Sequence, residues 1–163
     1  MERPMRLAPV DASAGDSPTP DSRWQELTRS DCFELLARHD LGRLAFVDDL
    51  GPIVVPVNYL LDHYVLVIRT DEGAKLRAAN CGVKVAFEID GTFAAGRGGW
   101  SVLVRGEAFT VSDPVELRRL RQLPVAPLAP GRKSHYIRVL PGVITGRQIL
   151  GPGGDEVMPW AGT

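Results

Sequence analysis

Between Thr28 and Gly42 the apolar residues Cys32, Leu35 and Leu36 recur at spacings of three and four, which gathers them on one face of a helix. Thr28 is placed to cap the free amides of that helix, and Asp31, three positions on, completes a capping-box pattern. Gly42 is placed to end the helix through a left-handed backbone. The pattern then changes. Arg43 to Val47, Ile53 to Leu61 and Tyr64 to Arg69 are dense in Val, Ile and Leu, which suits a pleated surface. The turn Asp62-His63 is short enough to make the last two an antiparallel hairpin. A short helix is expected over Asp71 to Asn80, with acids at its start and Lys75 and Arg77 further on. Val83 to Asp90 and Trp100 to Val111 read as strands around a Gly-rich loop, Gly91 to Gly99. Ser112 or Asp113 caps another helix, with Pro114 in its first turn, running to about Leu123. His135 to Leu140 and Val143 to Ile149 are the last strand segments, split by Pro141-Gly142.

Connections this short leave no room for repeated parallel crossovers. A mainly β fold is expected, a six-stranded antiparallel barrel, closed or nearly closed, with short flanking helices. Residues 1–22 are rich in Pro, Ser, Ala and Asp without apolar periodicity and read as a disordered tail. One folded domain is expected over 23–150, followed by a loosely ordered tail over 151–163.

Composition narrows the function classes. Nineteen basic against twenty acidic residues leave a net charge of -1. That balance argues against a general nucleic-acid coat, which needs a cationic surplus. There is no apolar run of membrane-spanning length and no secretory leader pattern. Cys32 and Cys81 are the only cysteines, too few for a disulfide scaffold. Together these features point to the cytoplasm.

Hydrolytic machinery is not legible. His39 falls at a helix end, His63 in a turn and His135 at the start of a strand, each a position with an ordinary structural use. No metal-ligand spacing, nucleophile elbow or Walker loop occurs. One segment is richer. Arg69 and Thr70 end a strand, and Lys75 lies one turn into the following helix. A guanidinium, a hydroxyl and an ammonium beside free helix amides suit a terminal phosphate, although a capped helix with surface cations is the plainer reading. Pro56 interrupts an apolar strand, which marks an edge or a bulge, and Asn58 follows on the same face.

The run VVPVNYLLDHYVLVIRTDEGAKLRAA, followed by VAFEID, GWSVLVRGEAFTVSD and HYIRVLPGVITGRQI, resembles the pyridoxamine 5′-phosphate oxidase-like split β-barrel flavoproteins. The likeness extends over about Leu27 to Ile149 and leans toward the branch of nitroimidazole-resistance-type and actinobacterial proteins. It implies an FMN-binding homodimer with the flavin at the subunit interface. Arg69, Thr70 and Lys75 match the phosphate-holding positions. Pro56, Val57 and Asn58 match the strand beside the flavin ring. Trp100 and Ser101 match a pair that the partner chain contributes to the phosphate site. Donors aimed at the ring's N1 and O2 edge would stabilise the reduced flavin, and Arg147, Asn58 or backbone amides are the candidates for that role. The Arg-rich C-terminal pattern of the true pyridoxamine phosphate oxidases is absent, and Arg147 is the last arginine. Arg69 stands where the nitroimidazole-resistance branch carries a histidine. The expectation is an oxidoreductase acting on a small organic substrate other than pyridoxamine phosphate. The alternatives are a deazaflavin-dependent reductase, for which Arg77 and Arg97 are extra basic positions, a flavin-storing protein without turnover, and a haem-binding relative using His135.

Overall fold

The capping box at Thr28 forms. The Thr28 hydroxyl accepts from the Asp31 amide at 3.2 Å, and the Asp31 carboxylate accepts from the Thr28 amide at 2.9 Å. They start α1 (Arg29–Arg38) in a computed structural model that describes residues 23–73, 76, 79, 82–93, 98–124 and 134–150. The strands are β1 (Arg23–Leu27), β2 (Leu41–Asp48), β3 (Gly51–Asp62), β4 (Val65–Thr70), β5 (Val83–Thr92), β6 (Gly98–Thr110) and β7 (His135–Leu150). The second helix with a described run, α2, spans Pro114–Leu120. Asp113 caps it by accepting from the amides of Val115 and Glu116. Leu76 and Ala79 are helical and buried within the expected Asp71–Asn80 helix. Both expected tails lie outside the described residues.

All the strand pairings are antiparallel. The neighbour order is β1-β7-β4-β3-β2-β5-β6, and β6 pairs again with β7. The expected six-stranded ring is therefore β2 to β7, and β1 is a seventh strand. β7 makes this possible through its length. One edge pairs with β6 from Ile137 to Leu150; the other pairs with β4 from His135 to Val139 and with β1 from Gly146 to Leu150. Pro141-Gly142 does not split it. The irregularity appears as a register shift between Arg105 and Gly106 on β6, which lets both strands bend.

Two other local expectations are corrected. α1 ends at His39, whose backbone is extended, and Gly42 lies inside β2. Its missing side chain serves packing, because a Cβ there would collide with the Phe87 ring. The β3–β4 turn is centred one residue later than expected, on His63 and Tyr64, with φ of 48° and 67°. The Tyr64 ring meets Phe33 edge-on at 4.8 Å. Contacts of this kind offset the strain of two non-glycine residues in the left-handed region.

The main core fills the ring. Leu35 and Leu36 of α1 join Leu44, Tyr59, Leu66, Ile68, Phe87, Val102, Val104, Ile137 and Val139. Tyr59 donates its hydroxyl to the Leu36 carbonyl at 2.8 Å, and burial pushes its pKa up. A second cluster of Val67, Leu120 and Tyr136 lies under α2. Asp62 on β3 accepts two bonds from Arg119 of α2, at 3.2 and 2.6 Å, which hold its carboxyl below the ordinary range. Glu116 accepts from Arg138 of β7 at 3.0 Å. These pairs fix α2 against the sheet.

Candidate functional site

β3 is twelve residues long, but β4 covers only its last four, Tyr59 to Asp62. From Gly51 to Asn58 its pairings run to β2 alone. That places Pro56, opposite Arg43, on an open edge, where a missing backbone donor is tolerated. Pro56 is exposed and Asn58 half-buried on one face, whereas Val57 turns into the core. Val57 therefore offers a ligand its backbone rather than its side chain. The Asn58 Oδ1 is buried with no hydrogen-bond partner among the described residues. A buried acceptor left in that state costs about 1–3 kcal/mol, so the site is suited to an incoming donor.

One step beyond the last β3–β4 pair, Tyr59 with Ile68, come Asn58 and Arg69. Strand alternation puts both on the face away from the core, together with Tyr136, which pairs with Arg69 from β7. The Arg69 guanidinium lies over the Tyr136 ring, 5.7 Å from its centroid. Tyr136 belongs to the cluster under α2, so the pairs Asp62–Arg119 and Glu116–Arg138 indirectly back Arg69. Thr70 faces the core side, buried, opposite His135, with its hydroxyl donating to the Asp71 carbonyl at 3.2 Å. Arg69 and Thr70 thus point to opposite sides of β4. Lys75, Arg77 and Arg97 lie outside the described residues, as does Cys81.

Trp100 and Ser101 sit elsewhere. They pair with Gln148 and Arg147 at the far end of β7, while Arg69 and Thr70 meet its first residues. Twelve residues of β7 separate Tyr136 from Gln148, about 40 Å of strand contour. A site containing all four within a single chain does not form. Trp100 is buried, with His39 on one side at 4.8 Å between ring centroids. Gly91 leaves the room on β5: a Cβ there would lie 2.7 Å from the indole. His39 Nδ1 is 2.8 Å from the Leu35 carbonyl, which only accepts, so that nitrogen carries the proton.

Ser101, with Arg147, borders a cleft of about 450 Å³ lined also by Trp24, Gly91, Gly98, Gly99, Trp100 and Ile149. Trp24 comes from β1, the strand missed in the sequence. Only its indole beside the arginine-bearing strand could have been a signal, and nothing local links residues so far apart. A larger groove of about 700 Å³ lies at the β6–β7 bulge, between Lys84, Arg105, Glu107 and Leu140 to Val143. No predicted site residue lines it. Among the described residues no group of three or more His, Cys, Asp or Glu is arranged to hold a metal, and no helix is long and apolar enough to cross a membrane.

Comparison with known proteins agrees with this architecture. A Mycobacterium tuberculosis protein, the uncharacterized protein Rv0080, is 35% identical over 130 residues, covering 77% of this chain and 85% of that protein. A candidate pyridoxamine 5′-phosphate oxidase of Corynebacterium glutamicum superposes with a TM-score of 0.68 at 32% identity, covering 77% of this chain and 98% of the other. The FAD binding protein of Mycobacterium smegmatis superposes with a TM-score of 0.62 at 35% identity, covering 76% of this chain and 98% of that one. The sequence profile of the pyridoxamine 5′-phosphate oxidases matches residues 28–148, from the cap of α1 to Gln148 near the end of β7. On that match and on its closed antiparallel ring, this chain belongs to the pyridoxamine 5′-phosphate oxidase family.

Proposed function

We propose that the protein is a flavin-dependent oxidoreductase that works as a homodimer on a small organic substrate. The observation that carries this reading is the open β3 edge, with the unpartnered Asn58 Oδ1 standing level with Arg69. A flavin ring has an imide N–H to donate to Asn58 and a ribityl phosphate to accept from Arg69. FMN and FAD share both groups, and the relative from M. smegmatis carries FAD in its name. FMN is the smaller of the two. When bound, the flavin supplies reversible two-electron chemistry, and the protein's part is to bind, orient and shield it. In this reading Arg69 holds the phosphate end together with Lys75, whereas the buried Thr70 side chain, turned to the other side of β4, contributes only its backbone. Pro56 to Asn58 flank the ring without offering a competing backbone donor at Pro56.

The separation along β7 supports a second copy. Trp100 and Ser101 complete the phosphate site only if they come from a partner chain, which is the arrangement the family resemblance implies. The exposed apolar residues Leu41, Val47 and Val54 on the outer face of β2 and β3 provide surface for such a contact. With two cysteines, and Cys32 a buried free thiol, the chain suits a reducing cytoplasm.

Purification under native conditions tests the reading. The expected product is a yellow dimer that releases FMN or FAD on denaturation, identified by mass spectrometry, and that nicotinamide nucleotides bleach anaerobically. A colourless protein that captures a deazaflavin instead would overturn the cofactor, and a yellow protein that no donor bleaches would overturn the enzymatic role.

A further inference from the structure

Leu50, at the tip of the β2–β3 hairpin, is 97% exposed. The turn has two residues, Asp49 and Leu50, beyond the last ladder pair, Asp48 with Gly51. The Leu50 amide donates to the Asp48 carboxylate at 2.9 Å, which fixes the tip. One exposed leucine is ordinary on a protein surface. Here the strands that carry it are apolar too. Val47, paired with Pro52, is 63% exposed, and Val54, two residues further along β3, is 61% exposed. The hairpin therefore ends in an apolar knob with two carboxylates, Asp48 and Asp49, and neither is in an ion pair among the described residues.

The groove of about 700 Å³ at the β6–β7 bulge has the complementary character. The register there passes from Arg105 with Val143 to Gly106 with Pro141, leaving Gly142 without a ladder partner. Gly106 has no room for a side chain, because a Cβ would lie 2.1 Å from the Leu140 carbonyl oxygen. Together with Ala86 these glycines leave a hollow, and Leu140 and Val143 stand half exposed beside it. Lys84 and Arg105 border it as well. Neither is in an ion pair among the described residues, and Glu107, opposite Lys84 in register, forms no bridge to it. The groove thus sets two cations against one carboxylate, and the hairpin tip two carboxylates against no cation.

Register also puts both features on one side of the barrel. Ala45, on the same face of β2 as Val47, begins a row that runs through Ala86 and Arg105 to Val143. So exposed a Leu50 is not held by the groove of its own chain. A knob and a groove on a common face can be exchanged reciprocally by two copies about a twofold axis.

We infer that the tip of the β2–β3 hairpin docks into the β6–β7 groove of a second copy of this chain. Leu50 enters the hollow beside Leu140 and Val143, and Asp48 and Asp49 meet Lys84 and Arg105. The inference rests on the homodimer reading and deepens it by naming the surfaces through which the copies meet. None of the residues assigned to the flavin lines this groove.

Sedimentation velocity of the full-length protein, as purified, across a dilution series tests the docking. The wild type is expected to be a dimer. Leu50→Asp is expected to weaken dimerisation at least about 100-fold, because a twofold axis removes the apolar anchor twice. Its circular dichroism should match wild type, since the Leu50 side chain supports nothing within its own chain. Asp49→Arg and Arg105→Glu are each expected to weaken the dimer about tenfold or more, and the two combined, which reverse the pair, are expected to restore it to within about threefold of wild type. Dimerisation unchanged in Leu50→Asp, or a double variant as weak as the single ones, would overturn the inference and leave the homodimer standing. Species that grow beyond the dimer with concentration would overturn the reciprocal exchange. A monomeric wild type would remove the homodimer reading and the docking together.

Discussion

Arg69 and Arg147 are both held on aromatic rings, at 5.7 and 5.0 Å, but the rings themselves are supported differently. Tyr136 under Arg69 is 2% exposed, packed on Val67 and Leu120, and α2 is tied over that cluster by two ion pairs. Trp24 under Arg147 belongs to a five-residue strand held along one edge of β7 and is half exposed. The first cation is set by a buried layer and the second by surface contact. A rigid donor suits a resident cofactor, since little side-chain freedom remains to be lost on binding.

The largest effect is expected from removing the rigid cation and its proposed companion. Arg69→Ala with Lys75→Ala loses two charge-assisted bonds of about 1.5–3 kcal/mol each, so flavin affinity should fall at least about 100-fold while circular dichroism is preserved. Flavin occupancy equal to wild type would remove the β4 end from the site. Next comes the support beneath it. Leu120→Ala opens a cavity in the smaller cluster and should cost about 2–4 kcal/mol in urea unfolding. It should also loosen flavin retention. Unchanged flavin retention in a destabilised Leu120→Ala would show that the buried cluster does not support Arg69.

A smaller effect belongs to Asp62→Asn, about 1–2 kcal/mol at neutral pH, because Arg119 is partly solvated. Its pH dependence has a definite sign. The hydrogen bonds from Arg119 lower the Asp62 pKa in the folded protein. The pair therefore stabilises fully above the unfolded carboxylate pKa of about 3.9, and its contribution disappears as pH falls through the lower folded value. Wild type and Asp62→Asn should differ at pH 7 and converge in acid, as followed by urea midpoints across pH. The smallest effect is expected from His63→Gly. Gly adopts positive φ without steric cost, which offsets the lost His63–Asp62 hydrogen bond, so the urea midpoint should move by the equivalent of under about 1 kcal/mol with flavin retention unchanged.

Short-range signals were legible wherever the partners lie close in sequence. The Thr28–Asp31 capping box, the Asp113–Pro114 start of α2 and the six ring strands follow from spacing and propensity, and their structural forms match apart from strand ends. The edge at Pro56 was also readable, since proline's missing donor restricts where a strand can accept it. The meeting of Arg69 and Thr70 with a phosphate chemistry was visible as a pattern, while their assignment as a site came from family resemblance.

What the chain's order of residues determined by itself was the local conformational menu: which segments cap, which alternate and which cannot pair on both edges. Only the tertiary structure decided that RWQEL is a strand, because its ladder partners begin at Gly146, more than a hundred residues away. The same holds for Gly42, read locally as a helix stop and used instead as space for Phe87. Trp24 and Arg147 became neighbours by the same long-range route. Periodicity and capping act within a few residues, whereas ladder register and ring stacking are settled when distant segments compete for the edges of β7 and for buried volume, and no local pattern encodes that outcome.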